Sequence, residues 1–544
     1  MSRYAHQRLP YETPPELAGG RPSEAPVIVV GAGPIGLAAA IDLAQQGIAC
    51  VLVDDNDQVS HGSRAICWAK RSLEILDRLG VGQRVLDKGV TWKVGRLFHR
   101  DSQVYAFDLL PEQGHRMPAF VNLQQYYMEA YLIDRARELS DRIDLRWKNR
   151  VVGVEQDARG VTAEVETPDG RYTLRGDYLL ACDGAKSPIR NMLGLEFGGQ
   201  QFEERFLIAD VQMQADFPSE RWFWFEPPFH PGQSTLLHKQ PDDIYRIDFQ
   251  LGPDADPEAE KQPERVRPRV AAMVGHEDFE LDWVSVYSFK CCRLARFVHD
   301  RIVFAGDSAH VVSPFGARGG NGGLHDVDNL GWKLAAVVKG EAPAALLASY
   351  DQERIHGADE NILNSARATG FMTPKTATDK LFRDAVLGLA ADYSFARRLV
   401  NSGRLSVPCS LAGFDLQTPP ADDGFGVAPG EVCPDAPVDG PDGSGWLLQH
   451  LGGDFVLLAV DAAVPAIQGV RTVSVATRGY AGTQGLGDRA GWVEARYGSG
   501  KLYLIRPDQH VAARFDRVDR ATIQAALTRA QGMPEDSHAA ASHA

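Results

Sequence analysis

The chain has 544 residues, 57 Lys+Arg against 72 Asp+Glu, a net charge of −15 and 44% hydrophobic content. That length allows about three to four domains at about 150 residues each, with ample material for large cores. The acidic balance speaks against a nucleic-acid binder, which needs clustered cations. Seven cysteines without a CxxC speak for free thiols in a reducing cytosol rather than a disulfide framework.

Residues 1–25 are polar and proline-rich, with no apolar signal core, and are expected as an arm. The uncharged run 25–41 is interrupted by Gly31, Gly33, Pro34 and Gly36. It falls short of the roughly 20 apolar residues of a spanning helix, so no membrane association is expected. Residues 27–30 form an apolar run, 35–46 carry a helix pattern that Gly47 ends, and 49–53 are apolar again, a βαβ opening. Helices are expected at 70–79, stopped by Gly80, and at 125–138. Residues 151–180 alternate like hairpin strands around a Pro168-Asp169-Gly170 turn. Residues 205–290 read as strand and are rich in aromatics, and 324–338 read as an amphipathic helix ended by Gly340. The stretch 411–445 is crowded with Pro, Gly and Asp and reads as a linker. Beyond it, strands at 455–460, 472–476 and 501–505 and a helix at 521–530 suggest a small α/β domain. The tail 534–544 is expected to be disordered, and no metal site is expected.

Gly31-Ala32-Gly33-Pro34-Ile35-Gly36 follows a strand and opens a helix. Gly31 permits the tight turn, Gly33 lets the backbone approach a pyrophosphate, and Gly36 lets helix and strand pack closely. The helix N-terminus offers N–H groups to phosphates. Asp54 ends the next strand, where an acid accepts from ribose hydroxyls, and Asp55 is placed to share that role. Gly485 to Ala490 fits the looser GxGxxA form but has no strand running into it, and reads as a loop.

Two further motifs follow strands: Asp183-Gly184-Ala185-Lys186-Ser187-Pro188-Ile189-Arg190, and Gly306-Asp307-Ser308-Ala309-His310 running on to Gly323. An acid after an apolar strand accepts from polyol hydroxyls, and a glycine-rich loop entering a helix holds an anion or polarised carbonyl. Strand-end motifs spread over about 300 residues suggest one long cofactor lying across one sheet.

This set, with Ser63-Arg64-Ala65 and the run Gly316-Ala317-Arg318-Gly319-Gly320-Asn321-Gly322-Gly323, resembles the class A flavoprotein aromatic hydroxylases. These include para-hydroxybenzoate, phenol and 3-(3-hydroxyphenyl)propionate hydroxylases. The resemblance covers roughly residues 26–400, and residues around 428–435 and 504–508 resemble the thioredoxin-like tail of the phenol-hydroxylase branch. It implies an α/β fold: a Rossmann-like, glutathione-reductase-like FAD domain at 26–195 and 296–400, with an inserted α+β substrate domain at 196–295. A linker at 401–427, a thioredoxin-like domain at 428–532 and a tail at 533–544 would follow. With no CxxC, that tail domain is expected to be structural or dimerising.

By the same resemblance Asp54 would bind the FAD ribose, and Arg64 would contact the FAD phosphates or the NAD(P)H path. Gln125, or Gln124 as the alternative, would reach the FAD sugar or phosphates. Asp183 would sit near the pyrophosphate, and Asp307, after Gly306, would accept from the ribityl hydroxyls. Backbone N–H groups at Gly320 and Asn321, next to Gly319, would face flavin N1 and O2, and Pro314 would lie beside the ring. The implied activity is hydroxylation of a small phenolic compound through a C4a-hydroperoxyflavin, with NADPH or NADH as transient reductant and O2 as co-substrate. A cytoplasmic homodimer is expected, and another FAD-dependent oxidoreductase, a dehydrogenase or an epoxidase, is the alternative.

The aromatic-rich segment should supply the substrate groups. Strand alternation puts Arg246, Asp248 and Gln250 on one face. As aligned, phenol-hydroxylase relatives carry Tyr where this chain has Asp248. Asp248, His238 and Tyr287 are the candidates to contact or activate substrate. Trp68, Trp222, Trp224 and Phe315 could line an aromatic pocket, but core packing is the commoner fate of such residues.

Overall fold

The computed structural model describes residues 6, 8–19, 23–62, 64–400, 405–420, 424–441, 443–478 and 485–534. Ser63 and the expected tail beyond Pro534 lie outside them. Five strands pair in parallel, in the order Ile143–Trp147, Cys50–Asp54, Ser23–Val30, Gly170–Ala181, Ile302–Phe304. Their runs of Val, Ile and Leu are buried because helices cover a parallel sheet on both faces. Val30 lies opposite Val53 and Ala181, and Ala181 lies opposite Phe304. The chain segments that carry Gly31, Asp54, Asp183 and Gly306 therefore leave one edge of the sheet together. Such carboxyl ends form the crevice where open α/β sheets take ligands.

The first strand starts at Ser23, earlier than expected, because it pairs with Gly170–Ala181 from that point. Part of the expected arm is docked: the short helix Pro15–Gly19 buries Glu16, whose carboxylate accepts from Arg146 Nη1 at 2.9 and 3.0 Å. Helix Gly319–Val338 starts within the glycine run rather than at 324. There, packing overrides the poor helix propensity of glycine: a Cβ on Gly323 would press against Ile35.

The second sheet holds eight strands, in the order His310–Val311, Glu280–Leu294, Phe197–Gln212, Ile244–Leu251, Ser234–Lys239, Arg221–Phe225, Val94–His99, Ser102–Asp108. The first and the last two come from outside the 196–295 segment. Helix Pro263–Val274, which the strand-like reading of 205–290 missed, packs Val266 and Val270 on its back face. A three-stranded sheet, Cys67–Ala69, Phe120–Asn122 and Val90–Trp92, makes a further small layer.

The C-terminal sheet has seven strands, mixed parallel and antiparallel. Leu486–Asp488, expected within a loop, is one of them, pairing with Arg471–Ala476 and Pro437–Gly440. The segment read as a linker is also packed where described, with Leu411, Leu416 and Gln417 buried. This sheet joins the rest through an apolar cluster, in which Trp332 and Leu346 pack with Phe455, Leu457 and Leu502, and through charge. Arg506 donates to both Glu353 oxygens at 2.7 and 3.0 Å and to Asp508 at 2.5 Å, and Lys333 Nζ donates to Glu353 at 2.7 Å. All four side chains are fully buried. Burial alone would raise Glu353, but Arg506 and Lys333 hold it well below the carboxylate range. Burial lowers Lys333 to about 8.

Removing one partner of such a web strands the others. Glu353→Ala should cost about 3–5 kcal/mol of stability, read as a fall in the urea midpoint, whereas a loss under about 1 kcal/mol would mark the web as peripheral.

Candidate active site

Gly31 sits at φ +103°, and a Cβ there would come 2.5 Å from the Cys182 carbonyl oxygen. A Cβ on Gly36 would run into the Gly31 carbonyl oxygen, so the first turn of helix Pro34–Gln45 packs directly on the loop. Gly33 faces open space. Pro34 takes the first helical turn, where its missing N–H costs nothing. Ile35 fits against Gly306 and Gly323. Asp54 pins this loop: Oδ2 accepts from Ala32 N at 2.6 Å and Oδ1 from Asn56 N at 2.8 Å. Burial raises its carboxyl against those two bonds. Asp55 is exposed and accepts from Asn56 Nδ2.

On the next strand end, Asp183 Oδ2 accepts from Ile189 N at 3.0 Å, and its Oδ1 is buried without a protein partner. Ser187 caps the short helix Pro188–Met192 by accepting from Arg190 N. Arg190 then ties the motif to the Gly306 turn, donating to the Ser308 carbonyl at 3.0 Å. Within that turn Asp307 is exposed while its neighbours Gly306 and Ser308 are buried. Its surroundings nevertheless raise its carboxyl above the usual range.

Asp326 fixes the turn from below. It accepts from Gly306 N at 2.9 Å, His310 Nε2 at 2.7 Å and Arg354 Nε at 2.8 Å. Burial would raise it, but His310 and Arg354 more than offset that and hold it at about 2.

Helix Gly319–Val338 forms its first internal bond from Gly322 N to the Arg318 carbonyl. The N–H groups of Gly319, Gly320 and Asn321 therefore have no partner within the helix. The Asn321 side chain does structural work: Oδ1 accepts from Ala69 N, and Nδ2 donates to the carbonyls of Cys67 and Ala317. Pro314 is exposed in the loop before this helix. Arg64 is also exposed, and Gln125 Oε1 holds its loop through Ala65 N at 3.0 Å. Gln124 points elsewhere, donating to the Pro241 carbonyl.

These groups fit a long dinucleotide cofactor on observations of this chain. There is open space above Gly33, an orphaned buried oxygen on Asp183, a carboxylate exposed in a buried turn, and a helix N-terminus with three spare donors.

The front face of the second sheet looks toward this groove. Arg246 Nη1 donates to the Arg64 carbonyl at 3.0 Å, and Nε donates to Asp210 at 3.1 Å. Arg221, His238, Arg246 and Asp210 form one cross-strand row; Phe223, Leu236, Asp248 and Ile208 form the next. Tyr287 follows, opposite Phe206. All three candidate proton-handling residues thus share one face. His238 is buried, 3.8 Å from Cys67 Sγ, and burial with Arg221 and Arg246 nearby keeps it well below its ordinary pKa, so it is neutral. Asp248 Oδ1 is buried without a protein partner. Burial raises its carboxyl to about 6, Arg246 and Arg221 opposing and Asp210 adding. Burial also raises Tyr287 and pushes the Cys67 thiol up to about 12.

A cavity of about 60 Å³ opens on this face, lined by Arg221, Phe223, Phe225, Phe315, Phe371 and Met372 among others. Phe315 belongs to the Pro314 loop. Trp222 and Trp224 lie on the opposite face, packed with Phe98 and Phe229, and do not line it. Trp68 is fully buried, its indole donating to the Leu123 carbonyl. The sequence reading also passed over Arg221 and Asp210. Alternation in Arg221-Trp222-Phe223-Trp224-Phe225 carries the signal for Arg221, placing it with Phe223 and Phe225. Among the described residues no cluster of His, Cys, Asp and Glu is set to hold a metal ion, and no helix is long and apolar enough to cross a membrane.

If Asp326 holds the turn, Asp307→Ala and Asp326→Asn should both purify with much less flavin, by absorbance against protein. Asp326 titrates below its ordinary 3.8, so its contribution is present above that pH and fades as pH falls toward about 2. Wild-type flavin release should steepen over that window, and unchanged flavin occupancy in Asp307→Ala would contradict the placement.

Residues 24–365 match the family model described as FAD binding domain, and residues 427–534 match that described as aromatic-ring hydroxylase, C-terminal. The 3-(3-hydroxy-phenyl)propionate/3-hydroxycinnamic acid hydroxylase 2 of Burkholderia vietnamiensis is 29% identical over 538 residues, 92% of this chain and 95% of its own. The Mycolicibacterium smegmatis 3-(3-hydroxy-phenyl)propionate/3-hydroxycinnamic acid hydroxylase is 28% identical over 381 residues, 70% of this chain and 67% of its own. In fold, the flavin-dependent monooxygenase PieE, crystallised with FAD and substrate, matches at a TM-score of 0.78 and 22% identity, over 94% of this chain and 100% of that one.

Proposed function

The chain belongs to the FAD-binding-domain family, joined to the C-terminal domain of aromatic-ring hydroxylases, and from that premise we propose how its residues work. It is an FAD-dependent monooxygenase that hydroxylates aromatic compounds. The finer reading is a single-component enzyme for a phenolic substrate, using NADPH or NADH and O2. The observation that carries it is the meeting of two features on one loop. The free helix N–H groups at 319–321 follow Pro314 and Phe315, and Phe315 walls the aromatic cavity.

FAD, when bound, supplies the redox chemistry between reduced nicotinamide, oxygen and ring. Asp54, Asp183 and Asp307 would hold it along the sheet edge, with Arg64 and Gln125 above the groove. The N–H groups of Gly319, Gly320 and Asn321 would stabilise negative charge on its pyrimidine end. The phenylalanine walls orient the substrate ring and keep water out. Pro314 shapes the side where ring and oxygen meet. A phenol is a better nucleophile as phenolate, and Asp248, with one unpartnered buried oxygen and a carboxyl raised to about 6, is the group to accept that proton. His238 and Tyr287 are the further candidates on the same face.

The same reading assigns 26–195 and 296–400 to the FAD domain and 196–295 to the substrate domain. It makes 428–532 a thioredoxin-like domain of structural or dimerising role, in a cytoplasmic homodimer.

The test is a panel of phenols scored by NAD(P)H oxidation, O2 uptake and product mass together. Addition of one oxygen atom per NAD(P)H consumed supports hydroxylation, and a product that has lost hydrogen without gaining oxygen points to a dehydrogenase. If Asp248 is the base, kcat/KM should rise with pH through about 6. Asp248→Asn should remove that limb and slow hydroxylation about 10²–10⁴-fold while FAD stays bound. An unchanged pH profile in the variant would eliminate Asp248.

A further inference from the structure

Helix Ala377–Ala390 is apolar on two sides, and the protein covers one of them. Arg383, Val386, Leu387 and Ala390 are buried. Leu387 and Ala390 pack into the cluster of Phe223, Phe225, Phe315 and Met372, residues that wall the aromatic cavity. Leu381, Phe382, Ala385, Gly388 and Leu389 share a second face at helical spacing, and all are exposed. The exposed run goes on through Tyr393, before helix Ser394–Val400, and through Phe395 and Leu399 within it. The rings of Tyr393 and Phe395 lie 6.0 Å apart. The six large side chains of this stripe are 42–72% exposed. A helix apolar all round is ordinarily a buried helix.

With about 150–250 Å² for a large ring and less for a leucine, those exposures leave on the order of 600 Å² of apolar surface in water. That is the upper end of what a monomer carries. With a polar rim it reaches the roughly 800 Å² that each partner brings to a stable interface. Charge speaks against a lipid surface as the cover. Lys375 and Lys380 are tied to Glu204 and Glu226, and Arg397 donates to the Ala390 and Ala391 carbonyls. Asp379 and Asp392 are exposed on the same stretch, in a chain of net charge −15. Anionic headgroups need a basic rim instead. The stripe does complement itself. In a two-fold antiparallel pairing about Ala385, Phe382 of one copy faces Gly388 of the other, and Leu381 faces Leu389. A Cβ on Gly388 would meet nothing within 4 Å, so a ring has room there. Ala385 and Gly388 let two such helices approach to about 8–10 Å.

We propose that this stripe is the contact between two copies of the chain, paired antiparallel about Ala385. This rests on the homodimer reading and moves the contact from the C-terminal domain to the helices beside the aromatic cavity. The same helix then meets the second copy with one face and the cavity wall with the other. Arg383, which binds Glu226 at 2.6 Å, ties it to the end of strand Arg221–Phe225. Pairing thus holds that helix against the cavity wall from outside.

The experiment uses the FAD-loaded full chain and reads its mass by sedimentation velocity over a range of protein concentrations. Wild type should be a dimer. Phe382→Asp combined with Leu389→Asp should raise the dimer Kd at least about 100-fold, with flavin content and thermal midpoint held as the check on folding. A second measurement does not depend on weakening the contact. The native cysteines are buried or half-buried, so a short bis-maleimide reads an added surface thiol. Ala385→Cys should cross-link between copies, whereas Ala391→Cys, exposed but off the stripe, should not. A monomeric wild type overturns the proposal and the homodimer reading together. A dimer that survives the double substitution, or Ala385→Cys cross-linking no faster than Ala391→Cys, overturns the proposal and leaves the homodimer reading standing. So does wild type that floats with phosphatidylglycerol vesicles as a monomer while the double variant does not, which would give the stripe to lipid.

Discussion

Everything on the cofactor side of this molecule hangs on one fully buried carboxylate. Asp326 takes the Gly306 N–H, His310 and Arg354 at once. It thereby fastens a turn, a short strand and two helices to a single point. Helix Gly319–Val338 supplies Asp326, and its own N-terminus offers the donors at 319–321. Helix Leu347–Met372 supplies Arg354, and its far end places Phe371 and Met372 on the aromatic cavity. A shift at Asp326 would move the exposed Asp307, the helix donors and the cavity wall together. Such a carboxylate is tolerable only because every oxygen is satisfied by charge or backbone N–H.

The parts of this site that were legible in the chain are those fixed by local geometry. Gly31 and Gly36 announce themselves because the strand-to-helix turn leaves no room for a Cβ. Asp54, Asp183 and Asp307 stand at strand ends, where one residue decides which group reaches the groove. The alternation that placed Arg246 and Asp248 together held because a strand with one face on a cavity cannot slip register. The illegible parts depend on long-range partners. Arg506 and Glu353 lie 153 residues apart and meet through packing that no periodicity encodes. Helix Pro263–Val274 escaped because its buried stripe is just Val266 and Val270, amid charge and two prolines. Leu486–Asp488 is three residues long and becomes a strand because its neighbours on both sides demand pairing. Trp222 and Trp224 join the core, the commoner fate of such residues, and composition alone could not decide it, because only the register says which face a residue joins.

The second sheet gives its two faces opposite duties. The back is a closed apolar core around Trp224, Leu237, Ile247 and Phe249 under helix Pro263–Val274. The front mixes phenylalanines with Arg221, His238, Arg246 and Asp248 in adjacent rows. Polar groups survive there because each has an assigned state. Arg246 is neutralised by Asp210, and His238 is held uncharged by burial and two neighbouring cations. Asp248 and Arg221 are the exceptions, without ion-pair partners although opposite in sign. A rigid apolar back lets the front hold such unsatisfied groups at fixed positions, since the core supplies stability that the front gives up.

The C-terminal domain meets the rest by a different logic. One apolar cluster of Val, Leu and Tyr lies wholly within it and a second packs Phe455, Leu457 and Leu502 against Trp332 and Leu346, while one face presents Arg506, Asp508 and Gln509 to Glu353, Arg71 and Trp332. Replacing that web by apolar residues would bury as much surface and avoid the desolvation of several charges. What charge adds is register: a guanidinium donating to two carboxylates has one good geometry, whereas apolar faces slide. The web grips helices Gly319–Val338 and Leu347–Met372 through Lys333, Trp332 and Glu353. These are the two helices that Asp326 and Arg354 join at the cofactor groove. A domain with no CxxC and a single Cys433, its thiol pushed by burial to about 12, thus clamps from outside the pair of helices on which the groove is built.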